Sequence, residues 1–410
     1  MSQLRLDAEK IIAAALEKSR PDSTVAHGIA RMPGYSGRLI LIAMGKAAWQ
    51  MANAAYQAGL RPDRALVITK YGHLGAPIEG FEMLEAGHPI PDAASVAAAS
   101  RALELTEGLS ADDLVLCLIS GGASALFEAP AVSLEELADV TGQLLACGAD
   151  ITEINTVRKR LSQVKGGKFA KHCAPARVHS IILSDVLGDV PDMIASGPCC
   201  ADPSSAAQAL AIAKKYGLSL SERVWELLGI ETPKALENSS FIVSGSVKQL
   251  CAAAMEQCSA LGYDCVFLTD RLSCQAAEAG QFLAAIAASH CGQGRKLAFV
   301  AGGETVVKLR GKGLGGRNQE LALSAALKIA GLEDVLIFSL GSDGTDGPTD
   351  AAGGIVTGES AAMMSAAGID PAAALEDNDS YHALQSCGGL IVTGPTGTNV
   401  NDLCCLLIGG

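Results

Sequence analysis

The chain has 410 residues, 49% hydrophobic and 18% charged, so it is too apolar for a disordered polymer and too long for one ordinary core. A formal net charge of −13 sets its surface against phosphate backbones and speaks against non-specific DNA or RNA binding. No apolar run has the length a bilayer requires, the N-terminus reads as a charged amphipathic helix, and the 13 cysteines include no C-x-x-C pair, so a cytoplasmic protein with small buried thiols is expected.

In chain order, residues 4–18 read as a helix with Leu4, Ala8, Ile11, Ile12, Ala15 and Leu16 as its apolar positions. A short strand at 38–45 ends in Gly45 and feeds a helix from about Lys46 to Ala58. A second strand is expected at 65–70, a helix at about 94–107, a third strand at 114–120 closing on a Gly-Gly turn, and a fourth at 180–186. These strands are nearly unbroken and rich in leucine or β-branched residues, as in a parallel sheet covered on both faces. Their alternation with helices predicts a doubly wound, Rossmann-like α/β fold. The polar stretch at 229–240 reads as a boundary, giving an N-terminal domain of residues 1–236 and a second α/β domain of 237–410. The second half is expected to start with a strand at 241–246 and a helix at about 247–261, followed by strands at 264–270, 296–303, 335–344 and 388–397.

In so acidic a chain, cations beside glycine turns carry the most information about an anionic ligand. Gly45–Lys46 joins a strand end to a helix start, where free N–H groups and the positive dipole end favour an anion. A first-turn lysine opposes that dipole, which makes sense with an anion above it; a solvated lysine is the plain alternative. The turn Ser120–Gly121–Gly122–Ala123–Ser124 permits close backbone approach, and Ser124 is placed to cap a helix or bond a phosphate. Residues 155–170 carry Arg158, Lys159, Arg160, Lys165 and Lys168, with Arg158 and Lys165 on one helical face, as an anion site or as a solvated face. Asp185, Asp189 and Asp192 follow a strand, where carboxylates hold a cation, accept a hydroxyl proton or cap turns.

Gly311, Gly313 and Gly316 form a literal G-x-G-x-x-G, with Lys312 and Gly315 inside it and Arg317 directly after it. The acidic partner of a dinucleotide fingerprint is misplaced, since Asp343 lies roughly 30 residues on rather than about 20. Asp343, Asp346 and Asp350 are spaced among glycines so that they could converge on one divalent cation, or simply form a polar turn. His73 and His88 follow glycines in loops as candidate substrate contacts. No G-x-S-x-G elbow and no P-loop occurs.

The blocks AMGKAAWQMA, ITKYGH, EAGHPIPD, ISGGASAL, INTVRKRLSQVKGGK, LSDVLGDVPDMIASGP, AGGETVV, GGRNQELAL, SDGTDGPTDAAGG, NDSYHAL and GPTGTNVNDL resemble, in collinear order from about residue 8 to 408, the glycerate 2-kinase family with a MOFRL-type C-terminal domain. The resemblance implies two α/β domains with the active site in the cleft between them. It implies ATP- and Mg²⁺-dependent phosphorylation of D-glycerate at its 2-hydroxyl, giving 2-phosphoglycerate and ADP. It puts the lysine of the GKA block on Lys46 and the arginine of the GGRNQE block on Arg317. On that basis Lys46 and Arg317 are expected to bracket the transferring phosphoryl group, and Asp189 or Asp185 to orient or deprotonate the hydroxyl. Ser120, Gly121, Gly122, Ser124, Gly313, Gly315 and Gly316 would face phosphates, His88, Arg158 and Lys165 would bind substrate, and Asp343, Asp346 and Asp350 would hold Mg²⁺. The rival from another enzyme class is an NAD(P)H-dependent hydroxypyruvate reductase, suggested only by the glycine run; a non-catalytic sugar-acid or nucleotide-binding regulator is the third reading. Small molecules are the expected partners, neither nucleic acid nor membrane is, and homo-oligomerisation is left open.

Overall fold

The computed structural model describes residues 2–410. Contacts divide the chain into two compact units, residues 24–244 and residues 245–410 together with the first 23. The division differs from the expected one because helix Gln3–Ser19, whose buried face includes Ala8, Ile11, Ile12, Ala15 and Leu16, packs on helix Val247–Ala260. An amphipathic helix declares that it has a face to bury, but not which remote helix will cover it. Among the described residues no helix is long and apolar enough to cross a membrane.

In residues 24–244 six strands form one sheet: β1 (Leu39–Met44), β2 (Arg64–Lys70), β3 (Phe81–Ala86), β4 (Leu114–Ile119), β5 (Arg177–Leu183) and β6 (Ser239–Gly245), in the order β3-β2-β1-β4-β5-β6. The pairings of β1 with β2 and β4, of β2 with β3 and of β4 with β5 are parallel. Alternate residues feed opposite faces: Ile40, Ile42, Met44, Val115, Cys117 and Ile119 pack into one core, Leu39, Leu41, Ala43, Leu114, Leu116 and Leu118 into the other. Both faces are therefore covered, as the unbroken apolar runs predicted. The run at 241–246, read as the start of the second half, is instead the sixth strand of this sheet. A strand's sequence specifies its burial and not which of two sheets it joins.

Strand order reverses between β1, whose other neighbour is β2, and β4, so the carboxyl ends of these two strands bound the crevice where open α/β sheets bind ligands. Beyond β3, Asp92 opens helix Ala93–Leu105 with a capping box: its side chain accepts from the Ser95 N–H at 2.9 Å and the Ser95 hydroxyl accepts from the Asp92 N–H at 3.1 Å. Asp92 also accepts from the Gly87 N–H and the Tyr71 hydroxyl, tying the loop before the helix to its cap. Asp92→Ala is expected to cost about 1–2 kcal/mol of stability, checked by urea unfolding monitored by circular dichroism.

The other unit builds a mixed sheet from β7 (Asp264–Leu272), β8 (Leu297–Gly303), β9 (Val335–Gly341), β10 (Gly353–Thr357), β11 (Leu390–Ile391) and β12 (Asp402–Ile408), in the order β11-β10-β9-β12-β8-β7. β7 runs parallel to β8, whereas β12 runs antiparallel to both β8 and β9. The last strand in sequence thus fills the middle of the sheet, and all seven of its residues are buried. The strand expected at 388–397 shrinks to the two residues of β11, and the real central strand follows it.

Candidate active site

The carboxyl ends of β1 to β5 gather most of the candidate residues of the first unit. Gly45 leaves β1 with φ +121°, and a β-carbon there would collide with Ser120 at the end of β4. The two strand ends are stitched together: the Lys46 N–H donates to the Gly121 carbonyl at 2.9 Å and the Ala47 N–H to the Ser120 hydroxyl at 3.1 Å. Gly122, in the left-handed region at φ +86°, lets two side chains close over the turn. The Lys46 Cγ and the His88 Cδ2 stand 3.0 and 3.1 Å from where its β-carbon would be. The carboxylate of Asp185, just past β5, lies against Gly121.

Among the described residues the Lys46 ammonium has no carboxylate partner, and neither has that of Lys70 at the end of β2. Burial first, then the charges of Lys46 and Lys70, hold His88 below the ordinary histidine pKa. Burial first and then Lys70 do the same to His73. Two ammonium groups beside two neutral imidazoles gather positive charge at the carboxyl ends of β1 to β3, with the Glu85 carboxylate acting against it at His73.

The basic run at 155–170 divides. Arg158, on helix Ile151–Leu161, donates to the Ser124 carbonyl at 3.1 Å and so braces the turn. Lys165 is withdrawn from that role: it is fully buried, donates to the Phe127 carbonyl at 3.1 Å and pairs with Glu128 at 3.5 Å. Burial lowers its pKa to about 8, against the pull of Glu128. Lys159 is buried between Asp192 and Asp202, at 2.8 and 3.1 Å, and Arg160 lies at 3.8 Å from Asp202. These cations hold the loop after β5 to the helix rather than waiting for a ligand. That loop carries Asp189, Ala195 and Ser196, all with positive φ, at 53°, 56° and 59°. Side chains are rarely held in this region, and such strain clusters at functional sites. One Asp189 oxygen is buried without a hydrogen-bond partner.

In the second unit, Arg317 opens helix Arg317–Lys328 and is gripped by two carboxylates. Nε and Nη2 bond Asp402 at 2.6 and 3.0 Å, a bidentate pair, and Nη1 bonds Glu304 at 2.8 Å. Burial works against the guanidinium charge, but the two carboxylates more than offset it and raise its pKa. Burial pushes Asp402 up to about 6 despite Arg317.

Two expectations about this unit need correction. The N–H groups of Arg310 and Gly311 donate to Asn378 Oδ1, those of Lys312 and Leu314 to Asp377 and Asp379, and that of Gly313 to the Asp377 carbonyl. Gly311, Gly313, Gly315 and Gly316 are glycines because Asp377, Asp379, Ser380 and Asp346 press against them. The G-x-G-x-x-G pattern here serves close packing, and the N–H of Gly313 is not offered to phosphate. The aspartate trio does not converge either. Asp346 is buried, accepting from the backbone N–H groups of Asn318 and Gln319 at the helix start, and burial raises its pKa. Asp350 accepts from the Tyr381 hydroxyl at 2.8 Å. Asp343 stands near Asp402 of Arg317's clamp, its Oδ1 and that of Asp402 being 3.3 and 3.6 Å from a β-carbon built on Gly341. Among the described residues no group of three or more His, Cys, Asp or Glu is arranged to hold a metal ion.

Residues 7–229 match the model of a domain of unknown function, DUF4147, and residues 297–402 match the MOFRL family. The D-glycerate 2-kinase of Thermotoga maritima is 49% identical over 97% of this chain and 96% of its own. The chain belongs to the glycerate 2-kinase family. The glycerate 2-kinase of Pyrococcus horikoshii is 42% identical over 90% of this chain and 86% of its own. A chain of Agrobacterium vitis, 41% identical over 98% and 93%, carries a provisional hydroxypyruvate reductase name. The crystal structure of the Thermotoga maritima glycerate kinase superposes with a TM-score of 0.95 at 48% identity, covering 99% of each chain. The protein is accordingly a kinase that phosphorylates glycerate and takes a nucleotide as its second substrate.

Several residues that border the candidate site escaped the sequence reading. Lys70 was within reach, since it ends a predicted strand at the same sheet edge as Lys46. Asp402 and Glu304 pair with Arg317 across 85 and 13 residues; both lie in the blocks NVNDL and AGGETVV, but only the fold shows that they share a partner.

Proposed function

We propose that the protein transfers the γ-phosphoryl group of ATP to the 2-hydroxyl of D-glycerate, releasing 2-phosphoglycerate and ADP. The observation that carries this reading is the unpartnered Lys46 ammonium at the β1–β4 crevice, over a turn whose Gly122 lacks a side chain to block approach. Phosphoryl transfer asks a protein mainly for positioning and for neutralisation of spreading charge. Lys46 supplies charge to the phosphoryl oxygens, and Lys70 adds to the same field. Asp185 orients the attacking hydroxyl, and Asp189, held strained with a free oxygen, is the alternative acceptor of its proton. Arg317, made rigid by Asp402 and Glu304, is the candidate cation of the second unit. Mg²⁺ arriving with the nucleotide would supply neutralisation of phosphate charge. The residues expected to cage it do not fit a protein-held ion, and no step here depends on them.

Reduction of hydroxypyruvate loses its one support, because the glycine run is committed to residues 377–380. Incubation with D-glycerate and ATP followed by ³¹P NMR tests the proposal. The 2-phosphoglycerate resonance is expected; 3-phosphoglycerate, or ADP without a phosphorylated acid, would overturn it.

A further inference from the structure

The loop after β5 bends through three left-handed residues that are not glycine, Asp189, Ala195 and Ser196. Such backbone persists only where its surroundings over-determine it. At the far end the determinants are backbone bonds. The N–H groups of Gly166, Gly167 and Ala170 donate to the carbonyls of Ser196, Gly197 and Pro198 at 3.0, 2.7 and 3.2 Å. Residues 190–197 then form one cassette. The Val190 carbonyl accepts from the Met193 and Ile194 N–H groups, and the Asp192 Cα and carbonyl oxygen lie 2.9 Å from where a Gly197 β-carbon would stand. At the near end, close to Asp189 in sequence, the tie is a side chain: Asp192 Oδ2 accepts from Lys159 Nζ at 2.8 Å.

We propose that Asp192 and Lys159 are positioning residues, whose ion pair fixes the orientation of the Asp189 turn for proton acceptance. The inference rests on the kinase reading and takes Asp189 as the acceptor. Asp192 is not the only counter-charge of the Lys159 ammonium, which also bonds Asp202 at 3.1 Å. Asp202 is a fixed base, accepting from the Ser204 N–H at 3.1 Å and the Thr232 hydroxyl at 2.7 Å. The side chains of Lys159 and Asp202 are 2% and 0% exposed, that of Asp192 14%, so the network is anchored in the interior and reaches outward to the loop. A buried ion pair adds little stability over apolar side chains of similar volume, and its best-attested use is to set geometry. Here it carries a position defined by helix Ile151–Leu161 and by residues 202–232 to the segment that follows Asp189. The Asp189 N–H itself bonds only locally, to the Val186 carbonyl at 3.1 Å, so the cassette behind it gives the turn its direction.

Asp192→Ala keeps the backbone contact with Gly197 and leaves Lys159 paired with Asp202, so only the tie is lost. Steady-state kinetics with D-glycerate and ATP are measured for Asp192→Ala, Asp192→Asn, Asp189→Asn and the double variant of Asp189→Asn with Asp192→Ala. A well-placed proton acceptor contributes on the order of 10²–10⁴-fold, so Asp192→Ala is expected to lower kcat about tenfold with KM for ATP unchanged. Asp192→Asn keeps an acceptor oxygen for Lys159 and is expected to recover most of that loss. In the Asp189→Asn background Asp192→Ala is expected to cost less than about twofold, because no acceptor is left to orient. Lys159→Met cuts the same tie from its other end and replaces the alanine variant in the cycle if that variant does not fold. A loss of equal factor in both backgrounds is what a purely structural role gives. That result, or wild-type kcat in Asp192→Ala or in Asp189→Asn, would overturn the inference and leave the kinase reading intact. Failure of wild type to phosphorylate glycerate would remove the kinase reading, and this inference with it.

Discussion

Lys46→Ala is expected to lower kcat by roughly 10²–10³-fold, a loss of about 3–4 kcal/mol of transition-state stabilisation, with a smaller change in KM for glycerate. The ammonium is unpartnered in the folded protein, so its removal disturbs no ion pair, and the variant should melt within a degree or two of wild type. Arg317→Ala is expected to cost a similar factor by a different route. It removes a cation and leaves Asp402, which is nearly buried, without its bidentate partner. Arg317→Lys should not rescue activity, because an ammonium cannot reproduce two parallel bonds to Asp402 and a third to Glu304. Steady-state kinetics of wild type and the three variants decide each role. Wild-type turnover in Lys46→Ala or in Arg317→Ala would end the assignment of that residue.

How far the site could be foreseen depended on how local its determinants are. Gly45–Lys46 and Ser120–Ser124 were legible because a strand end, a glycine and a charged or hydroxyl residue occur together in sequence, and the parallel order then brings the two turns side by side. Strands β1, β2, β4 and β5 were legible for the same reason, each unbroken apolar run being one buried strand; β3, only half-buried and interrupted by Glu82 and Glu85, was not read, and the run that forms β6 was assigned to the other half. The glycine run at 311–316 misled because glycine signals close approach without saying what approaches; here it is the segment 377–380. Lys165 misled because helical spacing places it beside Arg158 but says nothing of depth, and the helix ends at Leu161 before the chain reaches it. β12 was missed because its apolar run follows a glycine-rich loop at the chain's end, where strands are easily read as a tail; it is the centre of the second sheet.

Glu128 joins stability to the site, and Glu128→Gln is expected to have the largest effect on folding. Its carboxylate is fully buried, with Lys165 at 3.5 Å and Arg158 at 3.7 Å, and neither oxygen has a hydrogen-bond partner among the described residues. Replacing it with glutamine keeps the volume and leaves two cations in the interior without a counter-charge, at a cost of about 3–5 kcal/mol. The cost should depend on pH in one direction. Lys165 is depressed to about 8 from an ordinary 10.5, so between these values the folded state binds fewer protons than the unfolded one. Stability from this group therefore rises as pH climbs through that window, because the buried ammonium is unfavourable and is discharged. Without Glu128 the ammonium is still less favourable, so the gap between variant and wild type is widest at pH 7 and narrows as Lys165 loses its proton in both. It does not close, since Arg158 remains charged at every accessible pH. Urea unfolding at pH 7 and pH 9 measures both quantities. A loss under 1 kcal/mol at pH 7, or a gap that widens at pH 9, would mean that Glu128 is not the counter-ion holding Arg158 and Lys165 beneath the Ser124 turn.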